Sequence, residues 1–289
     1  MHGGRFHSLL HKRVILPIFI IVIIFSISIT SIIIFLPFPQ QPITKTSIDN
    51  NGITKIYETK GGEKQEYYGF DYEHKARLDR EQFYLEDAAI LDGEYTAYAK
   101  LDNKEKEDDD ISFKIRGGEH NDDYKYAGRS YAVGVSFNGD PYLAKEYPYH
   151  PVTPKFLNEI RIANGNDNDN DNDYISKNIG NLDGRWIGIK VIAYNKNNAV
   201  NIEVYVDNKG LLSNGKPANH WNLWWTAVDD GKWVNDEGKK GGEPYLELQG
   251  EKGGTPEMTY IRIDKMKEKG QIEIKHESVR EIDASNKLV

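Results

Sequence analysis

Hydrophobic positions follow two different rules along this chain. From Val14 to Leu36 they form a run that no charge interrupts. From Ile56 onward they alternate with polar residues in short stretches set between Gly, Asn and Asp clusters. The uninterrupted run spans roughly 34 Å as a helix, enough to cross a bilayer. Alternation with period two instead marks strands with one buried face. The clearest example is Val200–Val206, where Val200, Ile202, Val204 and Val206 share one face and Asn201, Glu203 and Tyr205 take the other, the face left to solvent by default. Trp186–Tyr194 reads as the preceding strand, joined through Asn195-Lys196-Asn197-Asn198 as a hairpin. Further strands are expected at Glu66–Tyr72, Tyr95–Leu101, Ile111–Arg116, Tyr131–Phe137, Asn158–Ala163, Tyr245–Gln249, Thr259–Asp264, Gln271–His276 and Val279–Ile282. With no long amphipathic helix after the apolar run, this spacing predicts an all-β, two-sheet antiparallel sandwich preceded by one N-terminal transmembrane helix.

Charge orients the helix. Arg5, Lys12 and Arg13 precede the apolar run, while the first charge beyond it is Lys45. Positive charge before the helix places the N-terminus in the cytoplasm and the bulk of the chain outside. A cleaved signal peptide is the competing reading, but such peptides have shorter apolar cores and a small-residue cleavage site, and Leu36-Pro37-Phe38-Pro39 offers none. The organisation that follows is a basic tail (1–13), a membrane anchor (14–36), a linker (37–54) and one extracytoplasmic β-sandwich domain (55–289).

Composition narrows the class of partner. Three of the 37 Lys and Arg and none of the 45 acids precede the anchor, which leaves 34 basic against 45 acidic residues beyond it, net −11. That balance argues against nucleic acid. The chain holds no cysteine and no N-x-[ST] sequon. An exported domain without cysteine relies on core burial rather than disulfides, and the two absences together suit a prokaryotic cell surface. Asp102–Asp110 and Asn164–Asp173 read as polar insertions at loop tips. Asp167, Asp169 and Asp171 take EF-hand-like positions 1, 3 and 5, yet Asn172 and Asn178 stand where that loop needs Gly and Glu. A flexible loop is expected there, with weak calcium binding as the alternative; no other cofactor is expected.

The hairpin Gly184-Arg-Trp-Ile-Gly-Ile-Lys-Val…Val200-Asn-Ile-Glu-Val-Tyr-Val-Asp207 resembles the concanavalin A-like lectin/glucanase superfamily, and Tyr245–Gly250 with Thr259–Asp264 is similar to the last strands of its sugar-processing members. The resemblance covers roughly Tyr67 to Ile282. It implies a jelly roll of two curved sheets whose concave face binds glycans. The catalytic E-x-D-x-E strand of glucanase members has no counterpart: the nearest match, Glu247-Leu-Gln-Gly-Glu251, has Gln249 in the middle and Gly250 to break the strand. No Q-[IV]-H element of the alginate-lyase type is present either.

Candidate site residues come from two clusters. On Ile111–Arg116 the residues Ile111, Phe113 and Ile115 are expected to face the core, with Lys114 and Arg116 opposite. Arg116, His120, Lys145, Glu146, Tyr147 and His150 are the residues expected to line a sugar groove. For a β-elimination, Arg116 or Lys145 would neutralise a substrate carboxylate, and a histidine or tyrosine would remove the proton. The alternative is a surface Lys145–Glu146 ion pair beside aromatic loop packing. The second cluster is His220–Trp225, where Trp221 or Trp224 is the expected stacking platform and a loop clamped on the sandwich edge the alternative. The function expected is a membrane-anchored carbohydrate-binding jelly-roll domain. A polysaccharide lyase or glycoside hydrolase of the same fold, or a structural ectodomain of a membrane or envelope assembly, are the alternatives.

Overall fold

The computed structural model describes residues 47–60, 66–68, 72–75, 80–85, 90–102, 110–117, 129–146, 159–163, 178–234, 240–248, 258–264 and 271–288. The expected anchor (14–36), His120, Tyr147, His150 and the calcium candidates Asp167, Asp169 and Asp171 lie outside these residues. Among the described residues no helix is long and apolar enough to cross a membrane.

In chain order the described strands are β1 (Tyr57–Thr59), β2 (Glu66–Tyr68), β3 (Tyr72–Lys75), β4 (Arg80–Leu85), β5 (Gly93–Asp102), β6 (Asp110–Ile115) and β7 (Ser130–Ser136). They continue as β8 (Pro141–Glu146), β9 (Glu159–Ala163), β10 (Trp186–Lys196), β11 (Ala199–Asp207), β12 (Asn222–Asp229), β13 (Met258–Asp264) and β14 (Gln271–Lys287). An eight-stranded sheet runs β1-β14-β5-β10-β11-β12, with β2 and β3 also paired to β14; a six-stranded sheet runs β4-β13-β6-β7-β8-β9. The protein is thus all-β, with two antiparallel sheets.

The alternation read from sequence is what joins them. Ala97 and Ala99 on β5, Ile189 and Val191 on β10, and Ile202 and Val204 on β11 meet Ile111 and Phe113 on β6, Val133 and Val135 on β7 and Leu143 on β8 in one buried cluster. The β10–β11 hairpin closes on Asn197 and Asn198, at φ 55° and 58°. That is the left-handed pair a two-residue type I′ turn requires. The next turn brings Gly210 so near Trp186 that a Cβ there would stand 2.1 Å from the Trp186 carbonyl oxygen.

The eight-stranded sheet carries a second apolar layer on its outer face. Ile53, Ile56 and Tyr57 pack there with Tyr98, Ile192, Tyr194, Tyr205, Trp221 and Ile282. Residues 47–54, expected as linker, therefore end in a packed arm. This cover also buries Glu203 and Tyr205, which alternation alone assigns to solvent. Three other expectations change. Asn222–Asp229 is strand β12 rather than a loop. Gln271–His276 and Val279–Ile282 are one strand, with its register shifted between Lys275 and Ser278. Tyr245–Leu248 is not a strand. Its carbonyls serve side chains instead of a ladder: Arg116 donates to the Tyr245 oxygen, Asn195 to Leu246 and Arg129 to Glu247.

Candidate functional site

Strand register places the site-bearing residues in rows across the outer face of the six-stranded sheet. Ser112 pairs with Gly134 and Gly134 with Tyr142; Lys114 pairs with Ala132 and Ala132 with Ala144; Ser130 pairs with Glu146. The inward positions of β7 are Tyr131, Val133 and Val135, while the outward ones, Ala132 and Gly134, are small. Gly134 is required where it stands, because a Cβ would lie 1.9 Å from the Ile111 carbonyl oxygen. The result is a floor of Ala132, Gly134 and Ala144, with Tyr142 packed against the alanines. Polar groups surround it.

Lys114 donates to the Glu146 carboxylate, and Ser130 Oγ donates to the same Oε2 at 2.7 Å. Ser112 Oγ is buried and has no hydrogen-bond partner among the described residues. An ammonium, a carboxylate and two hydroxyls within three rows are the kinds of group that grip hydroxyl-bearing ligands. The floor and the polar groups about it are all buried. The six-stranded sheet continues through Arg262, the register partner of Ser112, and Arg161, the register partner of Ala144.

The sequence-derived candidates divide between the two sides of this sheet. Glu146 lies on the outer face, in the set just described. Lys145, one residue earlier, shares the inward parity of Leu143 and is fully buried. Its ammonium donates to Asp229 Oδ2 at 2.7 Å and to the carbonyls of Gly242 and Glu243 at 3.3 and 2.9 Å. Lys145 and Glu146 therefore do not pair with each other. Arg116 parts from Lys114 because its backbone enters the left-handed region at φ 55°. Its guanidinium binds Asp92 at 2.9 Å, Asn195 at 2.5 Å and the Tyr245 carbonyl at 2.9 Å. Arg116 and Lys145 thus converge on the segment around Tyr245, inside the molecule. Burial pulls both cations below their ordinary values, against the pull of Asp92 on Arg116 and of Asp229 on Lys145.

The tryptophans separate as well. Trp221 is buried on the outer face of the other sheet, edge-on to Tyr98 at 5.5 Å between ring centroids. Gly188 makes room for it, since a Cβ there would come within 2.7 Å of the indole. Trp224 sits at the register irregularity of β12, half-buried against the inner core. Neither shares a strand with the Lys114–Glu146 set. Sequence reasoning passed over Ser112, Ser130, Ala132, Gly134 and Ala144. The signal that finds them is the alternation of large and small residues in Tyr131-Ala-Val-Gly-Val-Ser136. Among the described residues no group of three or more His, Asp or Glu is placed to hold a metal ion.

No protein family matches the sequence, and no curated protein does. Among solved structures the chain is similar to the Emp46p carbohydrate recognition domain, with a TM-score of 0.41 and 9% identity over 83% of this chain and 97% of that one. It is also similar to a legume lectin-like domain from Entamoeba histolytica, with a TM-score of 0.34 and 9% identity over 83% and 99% of the two chains. A third is the alginate lyase from Klebsiella pneumoniae, with a TM-score of 0.31 and 10% identity over 69% and 62%. At such identities and TM-scores they transfer no ligand and no activity.

Proposed function

We propose that the chain is a membrane-tethered, extracytoplasmic jelly-roll domain that binds carbohydrate on the outer face of its six-stranded sheet. The observation that carries the reading is the small-residue floor of Ala132, Gly134 and Ala144, bounded by Lys114, Glu146, Ser112, Ser130 and Tyr142. A pyranose offers hydroxyls at its rim and a flat C–H surface in its middle. A carboxylate and an ammonium are the groups that grip such a rim. The tether is proposed from the Val14–Leu36 run and the basic residues before it. Retention of the chain in the membrane pellet after alkaline washing tests that part.

Glycan-array binding by the full chain in detergent tests the ligand class. Wild type is expected to retain a glycan, and Glu146→Gln to weaken it by about tenfold or more, because a charge-assisted bond becomes a neutral one. Ser112→Val is expected to weaken it without disturbing the Lys114–Glu146 pair. A wild-type protein that retains no glycan removes the reading in favour of a structural ectodomain. Release of reducing ends or unsaturated uronates from a polysaccharide makes the protein an enzyme instead.

A further inference from the structure

Lys145 on β8 and Asp229 at the end of β12 meet across the sandwich, each with a fully buried side chain, and Nζ stands 2.7 Å from Oδ2. The same Oδ2 accepts the Tyr131 hydroxyl at 2.5 Å, and Oδ1 accepts the Gly231 N–H at 3.0 Å. Aromatic rings wall the pair: Nζ lies 4.7 Å from the Tyr245 centroid and 5.8 Å from that of Tyr131, which Trp233 meets edge-on at 6.0 Å. Both charged side chains are out of reach of bulk solvent.

The other buried pairs are built differently. Glu94 faces two cations, Lys190 and Arg280, and accepts the Ile56 N–H as well. So many donors hold it as an anion. Glu146, opposite Lys114, keeps 10% of its side chain exposed. Asp229 differs from both: Lys145 is its one cation among the described residues, where Glu94 faces two, and its side chain is wholly buried, where that of Glu146 is not.

We propose that Lys145 and Asp229 condense to an isopeptide bond that joins the two sheets. In a dry site an ion pair is costly and its neutral form, amine plus carboxylic acid, is accessible by one proton transfer. The Nζ lone pair attacks Cγ of Asp229, an N–C bond forms, and the C–Oδ2 bond breaks. Oδ2 departs as water, taking a proton from the Tyr131 hydroxyl, which recovers one from the nitrogen. One ammonium and one carboxylate give one amide and one water, so no oxidant or cofactor takes part. The remaining amide N–H has the Glu243 carbonyl, now 2.9 Å from Nζ, as its acceptor. Burial lowers the proton affinity of Lys145, and burial beside Asp229 holds the Tyr131 phenol protonated far above its ordinary range. The first shift favours the attacking amine. The link closes a loop between residues 84 apart in a chain without cysteine, where no disulfide can serve.

The deciding measurement is the intact mass of the full chain under denaturing conditions, followed by tryptic mapping. The expected result is a mass one water below that of the sequence and a branched peptide containing Lys145 and Asp229. Lys145→Arg and Asp229→Ala are expected to restore the sequence mass. A wild-type chain at full sequence mass, with separate linear peptides for the two residues, overturns the bond whether or not either variant folds. Tyr131→Phe keeps the ring and is expected to slow the loss of water at least tenfold; formation at the wild-type rate overturns the role given to the hydroxyl. Glycan binding has no part in this test, and its failure leaves the mass result intact.

Discussion

On the eight-stranded sheet the outer face is roofed by the chain's own arm, residues 47–59; on the six-stranded sheet it holds a buried polar set around small residues. The arm is held by its main chain. Glu94 accepts the N–H groups of Ile56 and Tyr57, Lys190 donates to the Thr54 carbonyl and Arg280 to that of Tyr57. Ile53, Ile56 and Tyr57 add apolar cover. The six-stranded face instead has Lys114 and Ser130 both donating to Glu146, beside a Ser112 hydroxyl that has no partner among the described residues. Buried charge thus has two uses in one molecule. It clamps backbone on one face, and on the other it is grouped about small, buried residues.

The sharpest way to break this contrast is to remove the clamp. Glu94→Ala leaves Lys190 and Arg280 buried without their partner and is expected to cost about 3–5 kcal/mol in urea unfolding. A cost below about 1 kcal/mol would mean that the arm does not depend on it. Acid should act on the same group more gradually. Burial pushes the Glu94 carboxyl up, but Lys190 and Arg280 together outweigh it and bring it down to about 2, from the ordinary 4.5. Because the folded value lies below the unfolded one, the stabilisation is complete above about pH 4.5 and is lost as pH falls towards 2. The urea midpoint should decline through that window, and decline less steeply in Glu94→Gln. The smallest effect is expected where the arm leaves the sheet. Lys60 bonds Glu281 at 2.7 Å but keeps 58% of its side chain exposed, so Lys60→Ala should change stability by less than about 1 kcal/mol. A larger loss there would show that the arm is held by its rim rather than by its buried charges.

Much of the sandwich was legible because alternation is a local signal. Val200–Val206 and Ile111–Ile115 each announce which residues face inward, and the structure places them so. Arg116 was not legible, since its face depends on a left-handed backbone that no spacing reveals. Nor was the fate of Tyr245–Leu248, whose strand-like pattern gives way to cations more than a hundred residues away in sequence for Arg116 and Arg129. The site was half legible. Glu146 was named and lies on the polar face, but the neighbouring Lys145 points into the core, and adjacent strand residues cannot share one groove. The small outward residues of β7 were visible in the sequence and went unread because small side chains suggest no chemistry by themselves.

β14 is the last strand in chain order, yet it lies between β5 on one side and β1, β2 and β3 on the other. A chain emerging from the ribosome or a translocation pore can pair β10, β11 and β12 early, since they are sequential hairpins. Its first three strands have no partner until Gln271–Lys287 arrives. The pairing of β1, β2 and β3 must therefore wait while more than two hundred residues pass, and closure of the eight-stranded sheet is the late, slow event of folding. During that interval β1, β2 and β3 are unpaired edges exposed to other chains. A factor that shields the emerging N-terminal strands would thus govern the yield of this protein more than one that acts on the finished sandwich.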